Sequence, residues 1–318
     1  MEMINLKEYI GVDIGGTKCA VVRADENGKI LDKIRFDTTG KDETLKKIVD
    51  GVLGFKNAKT VSVGISCGGP LDPRRGVILC PPNLPGWIDV PIVRDIEEKT
   101  GLPTAICNDA NACALAEWRF GAGRGTSNMI FLTFGTGMGA GLILDGRLYS
   151  GTCDMAGEVG HLRLAPRGPV GFGKAGSFEG FCSGGGIGRL ARAEAEKAMK
   201  RGVFPSFCKS AAELDSISAK SVAAAANAGD ATAIKVYKKS GAMLGRALAI
   251  LVDVINPEMI VIGSVFERSE NLLRAEMEKT LKKEAIGYSL AVCRVVPAAL
   301  GDSIGDVAAI AVAKEAEK

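Results

Sequence analysis

Two glycine-rich turns, each between segments with the pattern of a β-strand, are the first candidates for chemistry. The first is DIGGTK, Asp13 to Lys18, and the second is FGTGMG, Phe134 to Gly139. Glycines in such turns let successive backbone N–H groups converge on an anion, and threonine hydroxyls add donors. Either turn alone is equally well explained as a tight hairpin. The matched pair predicts a polyphosphate held between the two turns, with Asp13 as a hard oxygen ligand for Mg²⁺, directly or through water.

The segment ICNDANA supplies a candidate base. Asp109 follows an apolar strand pattern and lies at a predicted helix start, where the helix dipole favours an ionised carboxylate. It is therefore either a plain N-cap or a carboxylate aimed into a cleft, with Asn108 beside it as a hydrogen-bonding group. In the second interpretation Asp109 is the general base for a hydroxyl. Phosphoryl transfer needs little more than such a base and charge clamps.

The third candidate is His161, the only histidine among the 318 residues, in the stretch MAGEVGHLRLAP. A single imidazole can be a metal ligand, a proton carrier, a substrate contact or an ordinary buried side chain. The residue by itself leaves these four roles open.

The segments around these residues have the sequence patterns of a mixed α/β fold. YIGVDI and CAVVRA flank the first turn with strand composition, and DANACALAEWRFG has a helical pattern that ends at Gly121. NMIFLTFGTGMGAGLILDGRLY repeats the order of YIGVDIGGTKCAVVRADENGKIL about 120 residues later. We therefore expect an internal duplication. It predicts one lobe over residues 1–118, on which a closing helix over 303–318 packs, and a larger lobe over 119–302.

Composition narrows the class of partner and the compartment. The net charge is only +3 and aromatic residues are 5% of the chain, which argues against nucleic acid and membrane surfaces as partners. The nine cysteines form no C-x-x-C pair, as is typical of free thiols in a reducing compartment. The 20-residue uncharged run from Gly125 to Leu144 contains five glycines, which is unlike a membrane span. No export signal precedes the first strand, so we expect a cytoplasmic protein.

Taken together, the motifs resemble those of the ROK sugar kinases, a family of the actin-like ATPase superfamily. GVDIGGTK and LTFGTGMGAGLILDGRLYSG are similar to the two phosphate motifs of this family, and NDANACALAEWRFGAGRG to its catalytic segment. NLPGW is similar to its sugar-side loop and AGEVGH to its sugar-binding signature. The resemblance covers essentially the whole chain. It implies a two-lobed, ribonuclease H-like α/β fold with the active site in the cleft between the lobes.

The resemblance also implies an activity and a set of site residues. The activity is transfer of the ATP γ-phosphate to the 6-hydroxyl of a hexose, glucose by default, with Asp109 as the base. The sugar contacts it implies, besides Asp109, are Gly69, Asn83, Asn108, Glu158, His161 and Glu179. The residues it implies for ATP and Mg²⁺ are Asp13, Gly15, Gly16, Thr17, Lys18, Thr136, Gly137 and Gly263, with the metal at Asp13. It further implies a homodimer.

One departure from the family pattern concerns zinc. Many members carry C-x-C-G-x-x-G-C-x-E, whose cysteines join the histidine around a structural zinc, but here Val170, Phe172 and Ser177 occupy the thiolate positions. A lone imidazole cannot form the closed four-ligand site that structural zinc prefers. We therefore expect no zinc, a sugar hydroxyl as the partner of His161, and a loop anchored by Phe172 and Phe178.

Three alternatives remain for the function. N-acetylmannosamine or N-acetylglucosamine would use the same motifs as glucose, because pocket shape rather than motif separates these sugars. A sugar-responsive repressor would need a helix-turn-helix domain before the first phosphate motif, and only about eight residues precede YIGVDIGG. A catalytically silent sugar sensor is disfavoured by the presence of Asp109 and both turns.

Overall fold

The structure, a computed structural model, describes residues 6–317. The first ten elements are β1 Glu8–Ile14, β2 Lys18–Asp25, β3 Ile30–Asp37, α1 Lys41–Phe55, β4 Thr60–Cys67, β5 Leu71–Asp72, β6 Val77–Ile78, α2 Ile92–Thr100, β7 Thr104–Asn108 and α3 Asp109–Phe120. They are followed by β8 Met129–Phe134, β9 Met138–Leu144, β10 Arg147–Tyr149, β11 Val170–Gly171, β12 Lys174–Ala175, α4 Phe178–Cys182, α5 Gly184–Met199, α6 Ala219–Asn227, α7 Ala231–Ile255, β13 Met259–Ile262, α8 Val265–Glu284, α9 Gly287–Ala291, β14 Arg294–Pro297 and α10 Ile304–Glu315. The mixed α/β prediction is confirmed. None of the helices within residues 6–317 is both long and apolar enough to span a membrane.

The described residues form two compact units. The first comprises 6–125, 141–156 and 299–317, and the second comprises 126–140 and 157–298. The sequence-based limits of 1–118 and 119–302 stay a prediction, because compactness does not test which parts fold independently.

A five-stranded sheet with the order β3-β2-β1-β4-β7 forms the centre of the first unit. β1 is antiparallel to β2, and β4 is parallel to both β1 and β7. The parallel strands are apolar runs buried on both faces, as expected of the interior of such a sheet. Their register aligns Ile14, Cys67 and Asn108 in one row. The segments that follow β1, β4 and β7 therefore leave the sheet at the same edge.

The closing helix α10 lies directly on this sheet because two strand residues lack side chains. A Cβ at residue 11 would lie 2.8 Å from the Cβ of Ala309, and a Cβ at residue 64 would overlap the backbone of α10. The hydroxyl of Ser62 also donates a 2.6 Å hydrogen bond to the carbonyl of Ala313. Glycine at 11 and 64 thus sets how closely α10 approaches the strands.

The second unit contains a sheet with the same strand order. Its strands run β10-β9-β8-β13-β14, and β13 is parallel to β8 and β14. In both sheets the third, second, first, fourth and fifth strands along the chain are neighbours in that order, which agrees with an internal duplication. The 25-residue helix α7 packs on α8 through glycine, since a Cβ at residue 241 would lie 2.6 Å from the carbonyl of Leu273. α7 ends at Ile255, two residues before Pro257, which cannot continue a helix.

The close packing of α10 on β4 at Gly64 can be tested by mutation. Gly64→Ala should lower the free energy of unfolding by about 1–3 kcal/mol, because the added methyl group displaces α10 from β4. Gly54→Ala is the matched control: nothing lies within 4 Å of the added Cβ on α1, and alanine favours a helix over glycine by about 0.5–1 kcal/mol. Denaturant unfolding measures both. Equal stabilities for the two variants would contradict the packing described.

Candidate active site

The row formed by the ends of β1, β4 and β7 brings three sequence-predicted segments to one edge of the first sheet. The turn of residues 15–17 follows β1, Gly69 follows β4, and Asn108 and Asp109 form the junction of β7 and α3. The carboxyl edge of parallel strands is where α/β proteins bind their ligands. Residues proposed separately for phosphate and for sugar therefore share one edge of this unit.

The first turn is shaped by hydrogen bonds and by contact with the sugar-side loop. The N–H of Gly15 donates to the carbonyl of Lys18 at 3.1 Å, and the hydroxyl of Thr38 donates to the carbonyl of Gly15 at 2.7 Å. A Cβ at residue 16 would lie 2.6 Å from the carbonyl oxygen of Asn83, so the loop can touch the turn only where glycine stands. The same loop is anchored in the core by Trp87, which is 1% exposed.

The start of α3 separates the roles of Asn108 and Asp109. The side-chain oxygen of Asn108 accepts a 2.8 Å hydrogen bond from the N–H of Asn111, so Asn108 is the N-cap. The alternative that Asp109 is the plain N-cap is therefore wrong. The Asp109 carboxylate accepts a 2.8 Å hydrogen bond from the N–H of Ala110, and solvent still reaches the side chain.

The surroundings of Asp109 favour proton acceptance. Burial by neighbouring protein atoms raises the pKa of Asp109 above its usual value, and the backbone N–H groups of Asp109 and Ala110 oppose that rise. A raised pKa makes a carboxylate a stronger base, provided that it stays ionised at the working pH. This carboxylate is thus suited to take a proton from a hydroxyl.

Asp13 lies against the beginning of α10. A Cβ at residue 305 would lie 3.2 Å from Oδ2 of Asp13. Burial first, and then the negative charges of Asp306 and Asp109, raise the pKa of Asp13 to about 6, although the basic side chains of β3 oppose the rise. Ionised Asp13 is therefore costly, and a bound cation would reduce that cost.

The surroundings of Asp13 fit Mg²⁺ held partly by substrate. A polar cavity of ≈ 140 Å³ adjoins Asp13 and contains the ion pair of Lys33 and Asp306, whose charged atoms are 2.6 Å apart. Within residues 6–317, no three histidine, cysteine, aspartate or glutamate side chains form a group that could hold a metal. Mg²⁺ commonly uses one or two carboxylates together with phosphate oxygens and water. One carboxylate at Asp13 meets that requirement.

A buried carboxylate that the sequence did not single out connects α3, which begins with Asp109, to the segment before α10, which begins beside Asp13. Glu117 on α3 is 0% exposed and accepts hydrogen bonds from the N–H groups of Ala299 and Leu300, at 3.0 and 2.9 Å. A third N–H, that of Ala122, donates at 2.8 Å. Gly121 leaves room for the carboxylate, because a Cβ there would overlap it. Glu117 thereby fixes the chain just before α10 to the helix that begins with Asp109.

The second turn, of residues 135–137, lies at the start of α5. The N–H of Gly184 donates to the carbonyl of Gly135 at 2.7 Å, and the N–H of Gly185 donates to that of Thr136 at 3.3 Å. A Cβ at residue 184 or 185 would lie 3.0 Å from those oxygens, so glycine permits the approach. The 16-residue helix thus directs the positive end of its dipole towards the turn, where phosphate is expected.

The sugar-binding signature lies beside this turn. The N–H of Met138 donates to the carboxylate of Glu179 at 3.2 Å, and a Cβ at residue 160 would lie 2.5 Å from the carbonyl of Met138. Glu158 is exposed and precedes a single 3₁₀ turn, Val159–His161. The His161 ring meets the ring of Phe172 edge-on at 5.2 Å between centroids. Glu158, His161 and Glu179 therefore cluster next to the second phosphate turn.

The loop of residues 170–179, which lacks the zinc-binding cysteines, is anchored by only one of the two predicted phenylalanines. Phe178 is 0% exposed and is a core anchor, whereas Phe172 is 83% exposed, so the prediction that Phe172 anchors the loop is wrong. Residue 172 lies at the tip of the β11–β12 hairpin with a positive φ of 40°, which directs the ring outward onto His161. Ser177 is buried and its hydroxyl accepts the N–H of Gly180 at 3.1 Å, capping α4.

A cavity of ≈ 560 Å³ lies in the second unit, and the sequence indicated only a small part of its wall. Its walls come from Gly135 and Thr136, from α5 and from the beginnings of α6 and α8. Two residues that the sequence assigned to ATP lie at it. Thr136 lines the cavity, and Gly263 is buried, donates its N–H to the carbonyl of Leu132 at 3.0 Å and precedes Ser264, which also lines the cavity. The other walls join segments far apart in sequence, which no motif could reveal.

Comparisons with known proteins agree over the full length of the fold. The model of the ROK family matches residues 9–316. The glucokinase of Thermotoga maritima is 32% identical over 313 residues, covering 97% of this chain and 98% of that protein. The structure of a ROK family glucokinase from Streptomyces griseus, in complex with glucose and AMPPNP, matches with a TM-score of 0.73 and 31% identity over 98% of this chain and 99% of that one. A ROK family transcriptional regulator, a homologue of the E. coli MLC protein, matches with a TM-score of 0.84 and 25% identity over 98% of this chain and 78% of the regulator.

The electrostatics of Asp13 can be tested through stability. Since its pKa rises from 3.8 to about 6 on folding, the folded state holds the proton more tightly, and stability falls as pH rises from about 4 to about 6. Asp13→Asn removes this loss and should raise the free energy of unfolding by about 1–3 kcal/mol at pH 8, with little difference at pH 4. Denaturant unfolding at the two pH values measures it. Asp37→Asn, at the exposed end of β3, should show no such gain, and a gain equal to that of Asp13→Asn would contradict the assignment.

Proposed function

The chain belongs to the ROK family, and we propose that it is an ATP-dependent sugar kinase that transfers the γ-phosphate of ATP to the 6-hydroxyl of glucose. The observation that carries the proposal is the position of Asp109. Its carboxylate is not used to cap α3, and it lies at the same sheet edge as the first glycine turn. The glucokinase names of the relatives support the choice of glucose.

The proposed reaction needs a base and a set of positive dipoles. Asp109 takes the proton of the 6-hydroxyl while that oxygen forms a bond to the γ-phosphorus. The bond from the γ-phosphorus to the bridging oxygen breaks, and ADP leaves. Each unit offers donors that would stabilise negative charge on phosphate: the N–H groups of Gly16 and Thr17 in the first unit, and those of the turn at 135–137 with the α5 N-terminus in the second. Asp13 would hold Mg²⁺, which would neutralise further negative charge on the phosphate groups.

The other sugar contacts stay proposals. For two of them, the hydrogen bonds within the protein leave a polar atom that could bind a sugar hydroxyl. The proposed contacts are Gly69, Asn83, Asn108, Glu158, His161 and Glu179. Asn108 uses its side-chain oxygen for the helix cap, which leaves its amide NH₂ to donate to a hydroxyl. Glu179 accepts the N–H of Met138 with one oxygen, which leaves the other for a sugar hydroxyl.

The ≈ 560 Å³ cavity is the proposed site of the nucleotide. It opens beside the second turn, has a volume in the range typical of small-molecule sites, and is lined in part by the residues that follow Gly263. Lys18 and Thr17 are exposed on the first turn and are proposed to contact phosphate oxygens. The homodimer that the family resemblance implies and the cytoplasmic location that the sequence predicts also stay proposals.

A phosphorylation assay with ATP and Mg²⁺ across a panel of hexoses tests the proposal. Glucose should be phosphorylated with the highest kcat/KM, ahead of N-acetylmannosamine, N-acetylglucosamine and other hexoses. A higher kcat/KM for an N-acetylhexosamine would replace glucose as the substrate. Sugar binding without phosphorylation of any member of the panel would favour a sensor or a regulator, and would contradict the kinase proposal.

Asp109→Asn tests the base directly. The variant keeps the shape of the side chain but cannot accept the proton, so kcat should fall by about 10²–10⁴-fold. The affinity for glucose, measured by calorimetry, should stay within a few-fold of wild type. Asp42→Asn on α1, whose side chain is 92% exposed, is the control and should keep full activity. Turnover of Asp109→Asn close to that of wild type would remove Asp109 from the role of base.

His161→Gln tests the sugar contact proposed for the histidine. Glutamine keeps a donor and an acceptor, so the KM for glucose should rise more than kcat falls, by the equivalent of about 0.5–1.5 kcal/mol. The KM for ATP should change little. A collapse of kcat at unchanged sugar affinity would instead make His161 the base. A lower melting temperature at unchanged KM would make it an ordinary packing residue.

A further inference from the structure

Arg189 places a guanidinium group beside the second turn. It lies on α5 one helical turn after Gly185, and helical side chains run back towards the N-terminus. Its Nη1 atom is 3.2 Å from the position that a Cβ at residue 185 would take. The N–H of Gly185 donates to the carbonyl of Thr136, so a guanidinium close to Gly185 is also close to the second turn. Thr136, Gly185 and Arg189 all line the ≈ 560 Å³ cavity.

This guanidinium has no acidic partner in the part of the chain that the structure describes. The next arginine on the helix differs, since Arg192 forms ion pairs with Glu196, at 3.3 Å, and with Asp215. Arg189 is exposed to solvent and lines the cavity. A charged group held near glycine backbone, without a counter-ion, is available to a bound anion.

The charges around the cavity favour an anionic occupant. Four basic residues line it, against one acidic residue: Arg189, Arg192, Lys220 and Arg268 against Asp215. Asp215 is already paired with Arg192. The planar guanidinium presents two parallel N–H donors, a geometry that matches two oxygens of a phosphate group.

On the premise that the chain is the ATP-dependent kinase described above, we propose that Arg189 binds the phosphate chain of the donor nucleotide. It holds the chain against the α5 N-terminus and the turn at 135–137. Because the contact is to phosphate and not to the base or ribose, Arg189 makes donor affinity depend on the number of phosphates.

Calorimetry with AMPPNP, ADP, AMP and adenosine, in the presence of Mg²⁺, tests this inference. Arg189→Gln should weaken AMPPNP binding by about tenfold, equivalent to ~1.4 kcal/mol, and leave adenosine binding within about twofold of wild type. Arg189→Lys keeps the charge but loses the bidentate geometry, so it should restore part of the affinity. The KM for ATP should rise in Arg189→Gln at an unchanged KM for glucose.

Arg201→Gln, an exposed arginine just beyond the other end of α5, is the matched control and should bind every ligand as wild type does. The melting temperature of Arg189→Gln should equal that of wild type, since the side chain is exposed. Equal losses for AMPPNP and adenosine would place Arg189 on the base, and no loss for either would remove it from the site; both results overturn the inference. Failure of the wild-type chain to bind any nucleotide would overturn the proposed function as well.

Discussion

The geometry of the first unit depends on the buried carboxylate of Glu117. A buried acceptor of this kind is tolerated only when donors surround it, and here backbone N–H groups from residues 299–300 supply them. These bonds fix the entry to α10 against α3. Since α3 begins with Asp109 and α10 begins beside Asp13, one carboxylate links the two helices whose first turns adjoin the proposed base and the proposed metal ligand. Loss of it would disturb both groups at once.

In the second unit, close backbone contacts at two glycines fix a helix against the glycine turn. Gly184 and Gly185 let α5 begin directly on the carbonyl groups of the turn at 135–137. The shape of that turn, the direction of the helix dipole and one wall of the cavity are therefore set by a single helix terminus. A side chain at either glycine would separate the helix from the turn. The shape of the proposed donor site is thus coupled to the geometry of the turn through backbone contacts.

Much of the fold could be predicted because its patterns are local: buried strands are apolar runs, and glycine turns join them. The position of Asp109 at a helix start followed from the same patterns. The sequence could not decide whether Asn108 or Asp109 caps α3, because both residue types are good N-caps. Glu117 looks like any exposed helical glutamate, and its burial depends on residues 299–300, far away along the chain. The exposed ring of Phe172 was missed because aromatic composition favours burial, while local backbone conformation at the hairpin tip turned it outward.

We propose that Asp109 serves as the base in transfer of phosphate to a sugar 6-hydroxyl, with the glycine turns as phosphate-binding groups. The most direct measurement is phosphorus–proton correlation NMR of the products formed from ATP and glucose by the full chain. We expect a phosphate ester coupled to the protons on carbon 6, formed in equal amount to ADP. An ester on the anomeric carbon, or release of inorganic phosphate without any sugar ester, would contradict it.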